Sequence, residues 1–476
     1  MKIKKYLTAS LLILLVVSMS GCKKFLDVET KATVREESLF KNEQGFQGAL
    51  NGVYLNMGST ALYGRELSYG YVDALAGMYV ETAMSGSYLP VFKNAYTDGT
   101  SQAFTTRIWL AAYNNIANLN NIIIKLETVN PSLFQGNNYS VVKGEALGLR
   151  AMLHFDLFRL FGTSIVNGGN NIPAIPYRTV YDARIVAKVP GKEVMEKVLQ
   201  DLTAAAIALN TDPIKGNLSV TASSNRKLRM NYYTVKGLMA RYYMWSNEPE
   251  KAKVAALEVI NSKKFDFVNL NSVTAADPAK ERVFTTEHLF GIYSSQIEVN
   301  YEGLLVPRST DNTGLLVDEA RLTAQFESAL MNTDIRYTYL IQRYTGNGPT
   351  QTYFGKLLQP LNASSTLAKR IPVMKLPEMY YIAAEALKNT RPDSAVFYLN
   401  AVRAARSVTN KLSATLTALD IQNEIRKEYW KEMPLEGQMF FYYKRTNSLS
   451  IPGKTDAFDI SLYTVPIPPT EIEFGL

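Results

Sequence analysis

One cysteine and two histidines are all that a chain of 476 residues holds of these two types. A single cysteine excludes a disulfide framework and any cysteine-rich zinc or iron–sulfur site. Two histidines leave little for a histidine metal centre or a triad, so the chemistry within easy reach is that of carboxylates, lysine, tyrosine and Ser/Thr. No cofactor is expected. Lysine and arginine are scattered, with a net charge of only +8 and no basic run interleaved with aromatics. Nucleic-acid binding is therefore not expected. The 28 glycines and 19 prolines carry no period, which excludes a collagen-like chain. A hydrophobic content of 47% against 20% charged residues excludes disorder. What the chain has in excess is tyrosine, 29 against 20 phenylalanines and 3 tryptophans. Tyrosine joins an apolar ring to a polar tip and serves a core as well as a wet binding surface.

The N-terminus reads as a processing segment. Residues 1–5 carry three lysines, Leu7 to Val17 is an apolar run too short to span a bilayer with margin, and Ser18-Met19-Ser20-Gly21 supplies small residues before Cys22. Residues 1–21 are thus expected to be a secretory leader. The sole cysteine follows glycine at the end of the apolar run, which resembles the bacterial lipoprotein box. Cys22 is expected to be lipidated and to begin a tether over 22–40, and multiple acyl chains on one residue would hold the protein stably to a membrane. No later stretch approaches spanning length.

Further along, apolar residues recur at helical steps. Glu43 to Leu55 reads as a short helix. Phe104, Ile108, Ala112, Ile116, Leu119, Ile123 and Leu126 mark a long one ended by Pro131. Val142, Ala146, Leu149, Leu153, Leu157 and Leu160 mark its partner, stopped by Gly162. Lys192 to Leu209 is helical. Two later pairs, Asn231 to Trp245 with Pro249 to Asn261, and Pro377 to Lys388 with Pro392 to Arg406, can be overlaid on their turn prolines. Ala240 and Ala252 then fall on Ala383 and Ala395. Small residues at this spacing let the helices of a hairpin touch, and proline sits in a first turn where its missing N–H costs nothing. The spacing resembles the tetratricopeptide repeat.

Between these pairs the texture changes. Residues 263–375 read as mostly loop, including Ser294 to Glu302 and Gly346 to Gln351. Short strands are expected at Leu289 to Tyr293 and Leu304 to Val306, with one helix near Leu316 to Leu330. Val465 to Ile472 reads as extended. The expected fold is mainly α, with tetratricopeptide-like hairpins as scaffold (about 102–262 and 377–432) and a loop-rich face with short strands (about 58–100 and 263–375), in a single domain over 41–476.

Motifs for catalysis are weak. Ser140 with Lys143 and Ser224 with Lys227 both fit S-x-x-K, without the accompanying motifs; Ser140 is better placed at a helix N-terminus. Gly348, Gly355 and Lys356 do not have P-loop spacing. Glu424, Glu428 and Glu432 share a helix face. Paired carboxylates can hydrolyse glycosides, but the flanking Arg426, Lys427 and Lys431 favour a solvated face. His154 and His288 read as structural.

Several segments, in order along the chain, resemble the SusD/RagB family of outer-membrane nutrient-binding lipoproteins of Bacteroidetes. They are Cys22 followed by Phe25-Leu26-Asp27, Trp109 to Asn118, and Glu145-Ala146 with Leu149-Arg150-Ala151, Phe155-Asp156-Leu157 and Phe161-Gly162. Further on come Leu376-Pro377 with Ala384-Glu385-Ala386, Glu424 to Arg426, Glu436-Gly437, and Pro466-Ile467-Pro468 with Glu471-Ile472. The chain departs from the family at Thr30, Met439 and Tyr442, and it stops at Leu476 without the usual Asn-Pro ending.

The resemblance implies a SusD-like fold with no catalysis. It also implies a place on the outer membrane, facing the exterior, as a lid on a SusC-like TonB-dependent transporter. The implied ligand is an oligosaccharide, or a peptide as in the RagB branch; a helical-repeat scaffold binding only protein is the other reading. Ligand aromatics in the family come from two loop regions. The matching positions here are Tyr88, Phe92, Asn94 and Tyr96, then Tyr293, Gln296, Tyr301 and Arg308, with Tyr344 and Tyr353 as weaker candidates. A flat ring covers the C–H face of a sugar while amides and arginine meet its hydroxyls.

Overall fold

A computed structural model describes residues 36–84, 86–307, 314–345, 349–360, 362–454 and 458–473. The leader, Cys22 and the tether as far as residue 35 lie outside the described residues.

The scaffold is a stack of helices whose starts are written in the sequence. Helix α1 (Glu43–Met57) begins at Asn42, which accepts from the Gly45 amide. Asp98 caps α2 (Gly99–Thr128) through the Thr100 and Ser101 amides. Helix α3 (Asn138–Phe161) follows, with Ser140 in its first turn, then a short antiparallel pair, β1 (Pro173–Ile175) and β2 (Val189–Pro190), and then α4 (Gly191–Ala208). Asn231 caps α5 (Tyr232–Trp245), and Pro249 opens α6 (Pro249–Asn261). Side-chain caps of this kind satisfy amides that the first turn leaves unpaired.

Every residue of α3 from Gly144 to Phe161 is buried, which explains why its sequence is apolar on more than one face. It packs on α2 and α4. A Cβ at Gly144 would come within 2.5 Å of Leu209 and one at Gly148 within 2.7 Å of Met230, so these glycines set how closely its neighbours approach. The polar residues of α3 are paired. Glu145 binds Arg226, Arg229 and the Tyr54 hydroxyl, Arg150 binds Asp201, and Asp156 binds Arg159 and the Tyr63 hydroxyl.

The middle of the chain leaves this stack and returns to it. Strand β3 (His288–Tyr293) enters, followed by α7 (Ile297–Leu304), α8 (Glu319–Phe326) and α9 (Ile335–Leu340). A hairpin of β4 (Ile341–Tyr344) and β5 (Gln351–Phe354) follows, and β6 (Arg370–Lys375) pairs antiparallel with β3, Tyr293 opposite Arg370. Two expectations fail here. Ser294 to Glu302 is not loop throughout, and Leu304 to Val306 is not strand: α7 occupies most of that stretch. It is a short helix held by the burial of Ile297 and Tyr301, and tertiary packing of this kind overrides weak local signals.

Helix α10 (Leu376–Leu387) starts directly from β6, packs against α6, and so rejoins the two halves of the scaffold. With α11 (Pro392–Ala405) it forms the last hairpin, and α12 (Ala418–Glu432) and α13 (Met439–Arg445) follow. Ala240, Ala252, Ala383 and Ala395 are all fully buried, as their overlaid positions require. The C-terminal segment, expected to be extended from Val465 to Ile472, is without regular structure only over 465–468 and turns helical at Pro469–Glu473.

Candidate ligand face and its anchoring

The tyrosine surplus resolves mostly into core. Tyr54, Tyr63, Tyr69, Tyr71, Tyr79 and Tyr88 are all buried. Their hydroxyls tie irregular backbone down: Tyr69 donates to the Gly64 carbonyl, Tyr79 to the Tyr69 carbonyl, and Tyr88 to the Glu66 carboxylate at 3.0 Å. A loop without regular structure has many backbone groups to satisfy, and tyrosine reaches them while burying its ring.

This moves most of the expected ligand residues inward. Tyr88 and Phe92 are 5% and 3% exposed, and Tyr88 stacks on Phe104 at 5.0 Å. Asn94 takes a left-handed backbone at φ 56°, with its side-chain oxygen accepting from Lys454 and its amide donating to the Tyr96 hydroxyl. That hydroxyl in turn donates to the Leu462 carbonyl at 2.6 Å. Tyr301 is 1% exposed and bonded to the Phe354 carbonyl, where it holds α7 beneath the hairpin. Tyr88, Phe92, Asn94 and Tyr301 are buried, and Tyr96 is half-buried with its hydroxyl engaged inside the protein. Tyr353 is buried as well. Lys454, wedged beside Asn94 and against the Phe92 and Phe458 rings, is pushed down by burial to about 7.

Two of the expected residues do reach solvent. Tyr293 is 42% exposed at the end of β3, and Gln296 is exposed three residues on. The turn between them is fixed by the Ser294 hydroxyl donating to the Gly58 carbonyl at 2.8 Å. Gly58 has no room for a side chain, since a Cβ would meet the Tyr293 carbonyl oxygen at 2.1 Å. Tyr344, on the β4–β5 hairpin, is also exposed. Arg308 lies outside the described residues. The exposed set is thus two tyrosine rings and, three residues after the first, one amide, residue types suited to C–H stacking and hydroxyl bonding.

The carboxylates of α12 do not form a solvated face. Glu428 and Glu432 are fully buried, in a cluster of ion pairs that clamps the middle segment to the scaffold. Glu428 pairs with Arg336, Arg403 and Lys431. Glu432 pairs with Arg336, Arg406 and Lys375. Arg406 also grips Glu287 with two bonds of 2.7 and 2.6 Å. Burial alone would raise both carboxyls, yet Lys431 and Arg336 hold Glu428 down at about 2, and Arg406 and Lys375 hold Glu432 well below the usual carboxylate range. Neither is poised as a general acid, which must keep its proton near neutral pH. The two histidines are structural: His154 bonds the Arg150 carbonyl and the Arg178 amide, and His288 the Val283 carbonyl. Among the described residues, no group of three or more His, Cys, Asp or Glu is placed to hold a metal ion, and no helix is long and apolar enough to cross a membrane.

One feature escaped the sequence reading. A cavity of about 250 Å³ opens on the scaffold, with Trp109 and Tyr113 of α2, Arg178 and Ile185 of the loop after α3, and Glu471 on its wall. Its only sequence signal is Trp109 and Tyr113 one helical turn apart, which also fits plain core packing.

Comparison with known proteins agrees with this architecture. The family profile described as "Starch-binding associating with outer membrane" matches residues 24–244, and that of the SusD family matches residues 318–468. SusD-like protein P2 of Formosa agariphila is 25% identical over 472 residues, covering 91% of this chain and 88% of that protein. A SusD superfamily protein of Bacteroides thetaiotaomicron, known from its crystal structure, superposes with a TM-score of 0.73 at 22% identity, over 91% of this chain and 98% of that one. A SusD-like carbohydrate binding protein of Bacteroides vulgatus gives 0.67 at 19% identity, over 86% and 84%. With its helical scaffold and with both profiles matched in chain order, the protein belongs to the SusD/RagB family, the SusD-like nutrient-binding, non-catalytic proteins of the outer membrane.

Proposed function

We propose that this protein is a cell-surface lipoprotein, anchored through Cys22, that captures an oligomeric nutrient and delivers it unchanged to a SusC-like TonB-dependent transporter. A glycan is the favoured cargo over a peptide. The observation that carries the reading is the pair of family profiles, one of them described as starch-binding, which match residues 24–244 and 318–468 on either side of the segment that bears Tyr293 and Gln296. Tyr293 and Gln296 are the residues proposed to touch the ligand, with Arg308 and the exposed Tyr344 further along the same middle segment as weaker candidates. Tyr88, Phe92, Asn94, Tyr96 and Tyr301 support the loops from within.

Stacking on an exposed ring and hydrogen bonds made in competition with water gain little each, so a single site of this kind binds modestly, as suits a protein that must release its cargo. The test is calorimetry with a panel of oligosaccharides and peptides on the parent and on Tyr293→Ala and Gln296→Ala. Weakened capture by both variants at unchanged melting temperature is expected. Unchanged affinity in both, for a ligand that binds the parent, would overturn the assignment.

A further inference from the structure

The cavity on the scaffold has walls that are built, not incidental. Its outer wall is the loop after α3, and three side chains from the helices below hold that loop by its backbone. The Tyr113 hydroxyl donates to the Pro176 carbonyl at 2.7 Å. The Asn120 amide donates to the Arg178 and Val180 carbonyls, both at 3.1 Å. The His154 Nε2 accepts from the Arg178 amide at 3.0 Å, while its Nδ1 faces the Arg150 carbonyl at 2.9 Å. This fixes the neutral tautomer with the proton on Nδ1. Burial pushes His154 down to about 3, so the latch stays closed across the physiological pH range. Tyr177, stacked on the His154 ring at 3.8 Å, is pinned by Asp201.

Inside this frame the cavity is more apolar than a sugar site. Leu110, Pro176, Ala183, Ile185 and Val186 line it beside Trp109 and Tyr113. Trp109 is 2% exposed, so it offers an edge and no open face for stacking. The Tyr113 hydroxyl is already committed. A sugar ring would bring several hydroxyls against a wall whose arginines are engaged: Arg178 and Arg184 both bind Asp182. Buried hydroxyls without partners are costly, so the apolar part of the lining favours an apolar group over a sugar ring. The rim carries exposed aliphatics, Leu110 at 56% and Ile185 at 69%, with Ile472 at 59% next to Glu471. An apolar rim around a preformed hole is the pattern of a hot spot for a large side chain from another protein. Glu471 is the one charge on the wall with no ion-pair partner among the described residues, and it calls for a cation.

We infer that this cavity is a docking socket for one bulky apolar side chain of a partner polypeptide, presented in an extended segment beside a basic residue. The socket shares no residue with the proposed ligand platform and acts independently of it.

The probe is N-acetyl-Phe-Lys-amide, titrated into the purified full-length chain by calorimetry with tryptophan fluorescence as a second readout. N-acetyl-Phe-Glu-amide, N-acetyl-Gly-Lys-amide and glucose serve as comparisons. The Phe-Lys probe should bind in the millimolar range and the Phe-Glu probe about threefold or more weakly, the size of one partly screened ion pair. The Gly-Lys probe and glucose should not bind. Leu110→Asp and Ile185→Asp, both at exposed positions, should abolish binding without lowering the melting temperature, and Glu471→Gln should erase the preference for lysine over glutamate. No binding of the Phe-Lys probe at tens of millimolar, equal binding by both aspartate variants, or displacement by glucose would overturn the inference. So would tighter binding by a chain shortened after Glu473, which would make Phe474 the occupant in place of a partner.

Discussion

Replacing Glu432 by glutamine tests whether the buried ion cluster holds the middle segment to the scaffold. Glutamine keeps the shape and one acceptor but removes the charge that Arg336, Arg406 and Lys375 share. None of these cations is left alone, because Arg336 keeps Asp334 and Glu428, Arg406 keeps Glu287, and Lys375 keeps Glu436. The cost is therefore at most that of breaking one buried charge partnership, about 3–5 kcal/mol, and not several times that. Burial alone would raise Glu432, but Arg406 and Lys375 hold its folded-state pKa well below the usual range. Its contribution is thus complete above the unfolded value of about 4.3 and fades as pH falls through the folded value. The gap between parent and variant should be full at about pH 7 and narrow steadily in acid. Denaturant unfolding followed by circular dichroism, at neutral and acidic pH, measures both. Glu424→Gln on the same helix, which loses only a half-buried pair with Lys427, should cost less than about 1 kcal/mol. A Glu432→Gln variant as stable as the Glu424→Gln control, or a gap that does not narrow in acid, would refute the reasoning.

Three further outcomes are expected. Ala240→Leu or Ala383→Leu, at fully buried helix contacts, should overpack the scaffold and cost about 1–3 kcal/mol, read as a lower melting temperature. Lys444 is fully buried, among the described residues its ammonium bonds only the Leu160 carbonyl, and burial, then the like charge of Arg159, hold its pKa well below normal. The unfolded chain binds the proton that the folded chain refuses, so Lys444→Met should stabilise by about 1–3 kcal/mol at neutral pH, with the gain shrinking as pH rises toward about 10.4. Cys22→Ala should release the protein from membranes and abolish incorporation of labelled acyl chains, scored by fractionation.

The scaffold could be read from the sequence because its information is local. Apolar steps of three and four, caps such as Asn42, Asp98 and Asn231, and first-turn prolines at 249 and 392 each constrain their own helix. The site could not be read in the same way. Whether Tyr88 or Tyr301 faces ligand or core depends on where its hydroxyl finds a partner, and those partners, Glu66 and the Phe354 carbonyl, lie 22 and 53 residues away. Glu428 and Glu432 looked solvated because Lys427 and Lys431 flank them. Their burial is decided by Arg336, which lies 92 and 96 residues away from the two carboxylates. The loop at 176–186 has no periodicity at all, and only the tertiary latch at Asn120 and His154 turns it into a wall. Tyr293 was singled out by the family resemblance, and its exposure could not be read from the residues around it.

The most direct test of the central claim is to incubate the purified protein with a panel of oligosaccharides, measure binding by calorimetry, and recover the bound fraction for mass spectrometry. Reversible binding of at least one glycan, recovered at its original mass and weakened by Tyr293→Ala, is the predicted result. Shortened glycan products, or binding confined to polypeptides with no glycan retained, would contradict it.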